Sequence, residues 1–369
     1  MFLLNQNEQI QTKSERQTGK LSRAHSLQLA EMAKIGHRVI VFQIIEGNKW
    51  ALLYEKLPLF TAGSLFLKQE VVRLKIFITG VSGFLGNQLA MSLSRFYTVV
   101  GMYHKHVPLA GSNIEMYSCP MEQLEQLTLL LHKVNPDVII HTAAMSDMQS
   151  CYDQFDRACL VNATASHEMA KWCAQHAKQF VFISTEHVFD GDRGHYLEAE
   201  VLNAKSHYGK TKALAEKLIQ EVLPACAIIR LATMIGLPVA KHQNNFTVSM
   251  IRRMQNQQAV FLYEDEFRNF VDIFDVIELI KQVVERQAIG IFHCGGSHVL
   301  SRFSLGQRIA GVFGLDNHLL VRTSINSHPL AATRPHNTSL SIEATCHRLA
   351  WCPRDLNETL AELKATFCP

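Results

Sequence analysis

Short apolar runs alternate with helical segments from about residue 74 onward. Runs rich in β-branched and aromatic residues predict buried strands at residues 74–79, 97–103, 137–141, 179–184 and 225–231. Apolar residues recur with helical spacing between these runs, at residues 84–95, 121–133, 154–177 and 207–223. This alternation predicts an α/β fold with a Rossmann-like, doubly wound parallel sheet.

The chain is long and apolar enough to bury a large core, with 369 residues of which 47% are hydrophobic and 19% charged. We predict a Rossmann domain over residues 72–243, which includes the helix at 207–223. A smaller C-terminal substrate lobe is predicted to occupy mainly residues 244–369, with some segments returning to the Rossmann body.

Composition excludes several classes of partner. A net charge of +3 without a dense basic stripe gives no argument for nucleic acid. The sequence contains no run near the roughly 18 apolar residues of a membrane span. Nine cysteines without a C-x-x-C pair indicate reduced thiols and a cytoplasmic protein.

A glycine-rich turn, TGVSGFLG, joins the first predicted strand to its helix. Gly80 permits the sharp exit from the strand, Gly83 lets the backbone approach a diphosphate, and Gly86 lets the helix pack on the sheet. Phe84 and Leu85 begin the helix, whose N-terminus is predicted to hold the phosphates. The spacing is one residue longer than the common dinucleotide fingerprint, so an ordinary tight turn is the alternative.

Tyr208 and Lys212 are four apart on a predicted helix, so both side chains leave the same face. A free tyrosine has a pKa of about 10, and a neighbouring cation would favour its phenolate. The pair is therefore a candidate for general acid–base catalysis and for contact with the cofactor. A solvated helix face is the alternative interpretation.

The strand at 97–103 ends in His104 and Lys105, with no carboxylate nearby. Basic residues there suit the 2′-phosphate of NADP(H), although exposed loop residues and NAD(H) stay open. Ala143 and Ala144 follow the strand at 137–141 and leave space for the cofactor. His104 and His106 lack a third ligand in the sequence pattern, so no metal is expected.

Several segments together resemble the extended short-chain dehydrogenase/reductase family, and within it the dTDP-4-dehydrorhamnose reductase group. They include TGVSGFLG, PDVIIHTAAMS, LVNATASHEMA, FISTEHVFDG, YGKTKALAEK and RPHNTSL. The resemblance implies that Thr185 hydrogen-bonds the reacting carbonyl oxygen and that Tyr208 protonates it. Lys212 would tune Tyr208 and hold the nicotinamide ribose.

The resemblance also implies a substrate site, with departures from the family pattern. Glu186 and His187 would contact the sugar, and Arg268 and Arg334 would hold a nucleotide diphosphate, unless either is a surface ion pair. His187 replaces the usual tyrosine. A proline is replaced by Ala204, LATMIG lacks a common tryptophan, and YSCPM lacks an adenine-contacting aspartate.

The expected function is NADPH-dependent reduction of a keto group on a nucleotide-activated deoxysugar, with a homodimer possible. Dehydration is disfavoured because His187 stands where the dehydratases carry a second acid. Two alternatives stay open: a sugar-nucleotide epimerase, and a non-catalytic NADP-binding regulatory subunit similar to the β subunit of methionine adenosyltransferase.

Residues 1–70 precede the segments that resemble the family. The stretch to about Lys20 is polar and Gln-rich, which predicts a disordered tail. Residues 38–57 predict a hairpin about a Gly-Asn turn. Three interpretations stay open: an appended domain, a partner-binding arm, or an extension upstream of a native start near Val71 or Val72.

The third interpretation predicts that a chain lacking residues 1–70 folds and keeps the activity of the full chain. Melting temperature and turnover of the two proteins should then agree. A truncated chain that fails to fold would reject this interpretation. An isolated hairpin has only marginal stability in water, whereas a hairpin packed against the rest of the fold would stabilise it.

Overall fold

The computed structural model describes residues 30–35, 38–45, 49–55, 73–108, 113–240, 243 and 245–367, with the first three ranges described by their backbone alone. The chain forms two compact units, Met1–Val72 and Arg73–Pro369. The predicted tail to Lys20 lies outside the described residues.

The first unit contains a three-stranded antiparallel sheet in the order β1–β2–β3. Its strands are β1 (Ala30–Ile35), β2 (Arg38–Ile45) and β3 (Lys49–Glu55). The antiparallel pairing of β2 with β3 confirms the predicted hairpin, and β1 is a strand that the hairpin prediction did not include.

The second unit is built on a parallel sheet of seven strands. The strands of this unit are β4 (Lys75–Thr79), β5 (Thr98–Tyr103), β6 (Glu115–Ser118), β7 (Val138–His141), β8 (Gln179–Thr185), β9 (Ala227–Leu231), β10 (Met234–Ile235), β11 (Val260–Tyr263), β12 (Phe267–Asn269), β13 (Val271–Asp272), β14 (Gly290–Cys294), β15 (Val299–Ser301) and β16 (Leu320–Thr323). The large sheet has the order β14-β9-β8-β7-β4-β5-β6, and all its neighbours pair in parallel. The doubly wound Rossmann-like prediction is confirmed.

Helices cover both faces of this sheet. They are α1 (Phe84–Leu93), α2 (Leu124–Val134), α3 (Met148–Asp153), α4 (Phe155–Cys159), α5 (Ala165–His176), α6 (His207–Val222), α7 (Phe246–Gln255), α8 (Ile273–Glu285), α9 (Arg302–Phe313), α10 (Glu343–Leu349) and α11 (Leu356–Phe367). Short 3₁₀ turns lie at Glu186–Val188, Asn317–Leu319, Ile325–Ser327 and Ala331–Thr333. Buried side chains of α1 and α8 form one apolar cluster with the sheet, and those of α2, α5 and α6 form the other.

The single helix predicted over 154–177 is interrupted in the structure. A π-helical turn, Leu160–Thr164, separates α4 from α5. Asn162 in this turn accepts from the backbone N–H of Met145 at 2.8 Å and donates to the Met145 carbonyl and the Thr211 hydroxyl, each at 2.9 Å. The irregular turn thus places one amide between the segment after β7 and helix α6, as π-turns near functional sites often do.

A third apolar cluster lies mainly in α7, α9 and α11 and in strands β11 and β16. Strands β11 and β16 pair in parallel, and β12 pairs with β15 antiparallel. The segment between them in sequence, α8 and β14, belongs to the large sheet and its helical layer. The C-terminal part of the chain therefore contributes both to the smaller lobe and to the Rossmann body.

A buried ion pair connects α6 to the large sheet. Arg230 on β9 donates to both carboxylate oxygens of Glu216 at 2.8–3.2 Å, and the hydroxyl of Ser184 on β8 also bonds that carboxylate. The remaining guanidinium nitrogen donates to the Glu198 carbonyl at 3.0 Å and lies 3.2 Å from His293 Nε2. Since the two charged side chains are no more than 2% exposed, each depends on the other for compensation.

Replacing Arg230 with methionine should lower the free energy of unfolding by about 3–5 kcal/mol, because it leaves the Glu216 carboxylate buried without a counter-charge. The double variant R230M/E216L should recover part of this loss. Urea unfolding measures the free energy of unfolding of both variants. The exposed pair Arg193–Glu200 offers a control, since R193M should cost at most about 1 kcal/mol. A loss for R230M no larger than the control's would contradict the prediction.

Candidate active site

A cavity of about 880 Å³ opens at the carboxyl ends of the central strands, where the glycine turn and the residues after β5, β7, β8 and β9 meet. Open α/β sheets bind ligands at this edge. The cavity wall includes most of the predicted cofactor residues: Gly80, Gly83, Phe84, Leu85, Gly86, His104, Ala143, Ala144 and Tyr208.

The glycine turn is held by close backbone contacts. Gly80 has φ +71°, and a Cβ there would lie 2.8 Å from the backbone of Ala143. A Cβ on Gly86 would lie 2.3 Å from the Gly80 carbonyl oxygen. Neither position has room for a side chain, so these glycines allow α1 to approach the turn and the turn to approach the segment after β7.

The N-terminus of α1 faces the cavity through Gly83, Phe84 and Leu85. Its N-cap residue, Gly83, supplies no side-chain hydrogen bond, and its first turn has no acidic residue. The first N–H groups of a helix have no intrahelical partner and carry a partial positive charge. The arrangement fits the diphosphate of a dinucleotide, as the sequence predicted.

One part of the cavity wall combines the basic residues His104 and Arg157 with the acidic Glu122, and the sequence analysis named only the first of these. His104 lines the cavity, whereas Lys105 is exposed and lies outside the wall. Arg157 on α4 also lines it, and its guanidinium donates to Glu122 at 2.9 and 3.0 Å. The two partners are 35 residues apart, so no local spacing in the sequence indicated the pair. Cys119 and Met121 line the cavity where the family pattern has an aspartate.

His141, at the end of β7, is a buried part of the sheet rather than a ligand-binding residue. Its ring nitrogens lie 2.6 Å from the Thr79 hydroxyl and 2.8 Å from the Ser166 hydroxyl. Burial, with a smaller effect of Lys212, holds the pKa of His141 well below its usual value. The imidazole therefore stays neutral and fixes the ends of two neighbouring strands.

Tyr208 and Thr185 meet at the end of β8. The Thr185 hydroxyl accepts from the His187 N–H at 3.3 Å and lies near enough to the Tyr208 hydroxyl to lower its pKa. The contact requires Gly209, since a Cβ there would lie 2.0 Å from the His187 carbonyl oxygen. The Tyr208 ring also packs edge-on against His187, with ring centres 6.1 Å apart. Helix α6 begins at this contact, capped by the Ser206 hydroxyl.

Lys212 lies one turn below Tyr208 and is 1% exposed. Its Nζ sits 3.8 Å from the centre of the Phe182 ring. Burial lowers the pKa of Lys212 to about 7, against the attraction of Glu216. Burial also raises the pKa of Tyr208, against the hydrogen bond from Thr185. Lys212 follows Tyr208 by one turn of α6, and desolvation is the largest influence on the pKa of both groups.

Glu186 and His187 line the cavity beside Thr185. Burial raises the pKa of Glu186 to about 7, although Arg268 and the Thr233 hydroxyl, which donates to it at 2.9 Å, act in the opposite direction. Among the described residues, no close hydrogen bond reaches the buried second carboxylate oxygen, although the Thr338 hydroxyl is near enough to lower the pKa of Glu186. Burial and three nearby arginines hold the pKa of His187 well below its usual value.

Arg268 is fully buried and takes a different position from the one expected of a diphosphate ligand. Its Nε lies 3.2 Å from Glu186 Oε1, and its Nη2 lies 3.4 Å from Glu266 Oε1. The same guanidinium donates to the carbonyls of Phe267, Pro335 and His336. With no exposed surface and these partners, Arg268 can reach a ligand only through Glu186.

Arg334 and Arg302 are more accessible and share Glu266 with Arg268. Arg334 is 3.3 Å from Glu266 Oε1, and Arg302 pairs with Glu266 Oε2. Their side chains are 19% and 21% exposed. The sequence analysis named Arg334 but did not name Arg302 or Glu266. These two residues are 36 positions apart in the sequence and belong to no recognised motif.

The sequence as a whole identifies the family. Residues 74–368 match the model of the RmlD substrate binding domain family. The chain belongs to this family. The match confirms the resemblance to dTDP-4-dehydrorhamnose reductases and covers both the Rossmann body and the smaller lobe.

Two relatives and one solved structure show how this RmlD family member compares with known proteins. It is 26% identical over 302 residues to the Haloferax volcanii protein named "Probable low-salt glycan biosynthesis reductase Agl14", covering 79% of this chain and 97% of that one. It is 26% identical over 291 residues to methionine adenosyltransferase 2 subunit beta of Mus musculus, covering 76% and 85%. The crystal structure of dTDP-4-dehydrorhamnose reductase from Bacillus anthracis in complex with NADP matches with a TM-score of 0.70 at 21% identity, covering 80% and 99%.

Two further observations on the described residues concern metal binding and membrane insertion. Their acidic, histidine and cysteine side chains form no cluster of three that could hold a metal ion. Among the same residues, the helices are too short or too polar to cross a lipid bilayer.

Glu186 should make the stability of this RmlD family member depend on pH. Its folded pKa of about 7 lies above that of an unfolded glutamate. The folded state therefore keeps a proton that the unfolded state has lost, and the stabilisation falls as pH rises through 7. Relative to E186Q, the wild type should lose roughly 2–3 kcal/mol between pH 5 and 8.

Thermal melting across that pH range measures the difference, with the exposed Glu125→Gln as a matched control. Parallel curves for the wild type and E186Q would show that Glu186 ionises normally in the folded protein.

Proposed function

We propose that the protein reduces a keto group on a nucleotide-activated deoxysugar with NADPH. The observation that carries this proposal is that Tyr208 and Thr185 line the same cavity as the phosphate-binding turn, with the Thr185 hydroxyl near enough to lower the pKa of the Tyr208 hydroxyl. Membership of the RmlD family and the likeness to a dTDP-4-dehydrorhamnose reductase in complex with NADP support it.

The residues present fit a dinucleotide cofactor. The uncapped N-terminus of α1 would take the diphosphate, and the small Ala143 and Ala144 would leave room beside it. His104 in the cavity wall, without a carboxylate at the end of β5, favours a 2′-phosphate and hence NADP(H). Bound in this way, the cofactor would supply a hydride to the carbonyl carbon.

Tyr208 would give its proton to the carbonyl oxygen. The Thr185 hydroxyl lies near that of Tyr208, and the Thr185 oxygen is held by the His187 N–H. The Thr185 hydroxyl can therefore turn from the tyrosine to the substrate oxygen without moving its backbone. Two hydroxyl groups would then face the oxygen where negative charge develops.

Lys212, one helical turn after Tyr208, would stabilise the negative charge that develops on this oxygen. A pKa of about 7 means that it is only partly protonated at neutral pH in the free protein. Negative charge brought near it raises the pKa of an ammonium group. The lysine would therefore become more fully charged as an anionic ligand or a phenolate forms beside it.

A second candidate is an NADP-binding regulatory subunit, because a methionine adenosyltransferase 2 subunit beta is as identical to this chain as a probable reductase is, at 26%, although over a smaller share of its length. This candidate requires the cofactor site but not the acid–base pair. The placement of Tyr208 and Thr185 in the cavity wall, with Lys212 one turn further along the same helix, favours the reductase.

NADPH oxidation should occur with 4-keto nucleotide sugars, and Tyr208→Phe should lower kcat by at least about 100-fold, because the proton donor is lost. The affinity for NADPH should stay within about twofold. Absorbance of the reduced nicotinamide measures turnover, and ligand fluorescence measures binding.

The exposed Tyr152→Phe serves as the matched control and should leave turnover unchanged. Turnover that survives Y208F would overturn the assignment of the proton donor. If the protein binds NADPH without oxidising it, the reaction products should be examined for epimers of the sugar nucleotide. If no epimer forms, a synthetase partner should be sought.

A further inference from the structure

Gln243 bonds the phosphate-binding turn from outside the Rossmann strands. Its amide nitrogen donates to the carbonyl oxygens of Ser82 and Gly83, each at 3.1 Å. Its amide oxygen accepts from the N–H groups of Val239 and Ala240, at 3.0 and 3.2 Å. The side chain is 7% exposed, and all of its hydrogen-bonding capacity joins two backbone segments.

These contacts determine the direction of the N–H groups at the start of α1. A peptide unit is planar, so a fixed carbonyl also fixes the N–H group of the following residue. Holding the Ser82 carbonyl orients the N–H of Gly83, which donates to the Gly80 carbonyl at 2.9 Å. Holding the Gly83 carbonyl orients the N–H of Phe84, the first residue of the helix that faces the cavity.

The residues around Gln243 connect it to the smaller lobe. Gln88 on α1 donates to the Leu237 carbonyl at 2.6 Å, so the segment 237–240 is joined to α1 as well. Asn245, two residues after Gln243, caps helix α7 by accepting from the Thr247 N–H at 2.8 Å. Helix α7 belongs to the apolar cluster of the smaller lobe. In the sequence, Gln243 therefore lies between the segment 237–240, which is joined to α1, and the start of α7 in the smaller lobe.

We infer that Gln243 is a positioning residue for the phosphate-binding turn: it orients the N–H of Phe84, which would bind the diphosphate of the cofactor, and connects that turn to the smaller lobe. The inference rests on the cofactor part of the proposed function. It needs no assumption about the sugar, the base or the direction of the reaction.

Gln243→Met tests the inference, because methionine keeps the length of the side chain and removes its hydrogen bonds. We expect the affinity for NADPH to fall about tenfold, since the two bonds to the turn are lost. The affinity for adenosine 2′,5′-bisphosphate, which has no diphosphate bridge, should stay within about twofold. With a 4-keto sugar nucleotide as substrate, KM for NADPH should rise and kcat at saturating NADPH should not change.

The control is Gln220→Met, an exposed glutamine on α6, which should leave both affinities unchanged. Equal loss of affinity for both ligands, or a Q243M affinity for NADPH like that of the wild type, would overturn the inference. If the wild type binds NADPH but reduces no keto sugar, the proposed activity is wrong and the inference about Gln243 is unaffected. Wild type that fails to bind NADPH would overturn both.

Discussion

The active site depends on one close backbone contact, where helix α6 meets the residues after β8. Only a glycine at 209 allows it, since a Cβ would lie 2.0 Å from the His187 carbonyl oxygen. The contact places Tyr208, the preceding residue, against the Thr185 hydroxyl. Asn162 and the buried pair of Glu216 with Arg230 hold the same helix from its other sides. A shift of α6 by the width of a methyl group would separate the two hydroxyls.

Bringing these groups together removes them from water, and the loss of hydration then outweighs the local charges. One pKa unit corresponds to about 1.4 kcal/mol, so lowering Lys212 from its usual value to about 7 reflects several kcal/mol of lost hydration. Glu216 attracts the ammonium group, but Arg230 already bonds both oxygens of that carboxylate. A buried site of this kind favours neutral groups until a ligand brings charge.

The sequence predicted those parts of the site that depend on local spacing. The strand, turn and helix around Gly80, and the pair of Tyr208 and Lys212, follow from three- and four-residue periods within single elements. Such periods show which side chains share a face, but they do not show how deeply that face is buried. The raised pKa of Tyr208 and the fully buried position of Arg268 both depend on packing between distant segments. The same holds for Arg157 with Glu122 and for Gln243 with the glycine turn, whose partners are 35 and about 160 residues apart.

The buried charges beside the site also constrain what its ligand can be. Three guanidinium groups, from Arg268, Arg302 and Arg334, face the carboxylates of Glu186 and Glu266. A pKa of about 7 for Glu186 means that this cluster often lacks one of its two negative charges. Arg268 cannot recruit an outside anion, because it is fully buried, whereas the other two arginines keep about a fifth of their surface exposed. An outside anion would therefore compensate the cluster at Arg302 and Arg334, whereas Arg268 holds the Glu186 carboxylate in place.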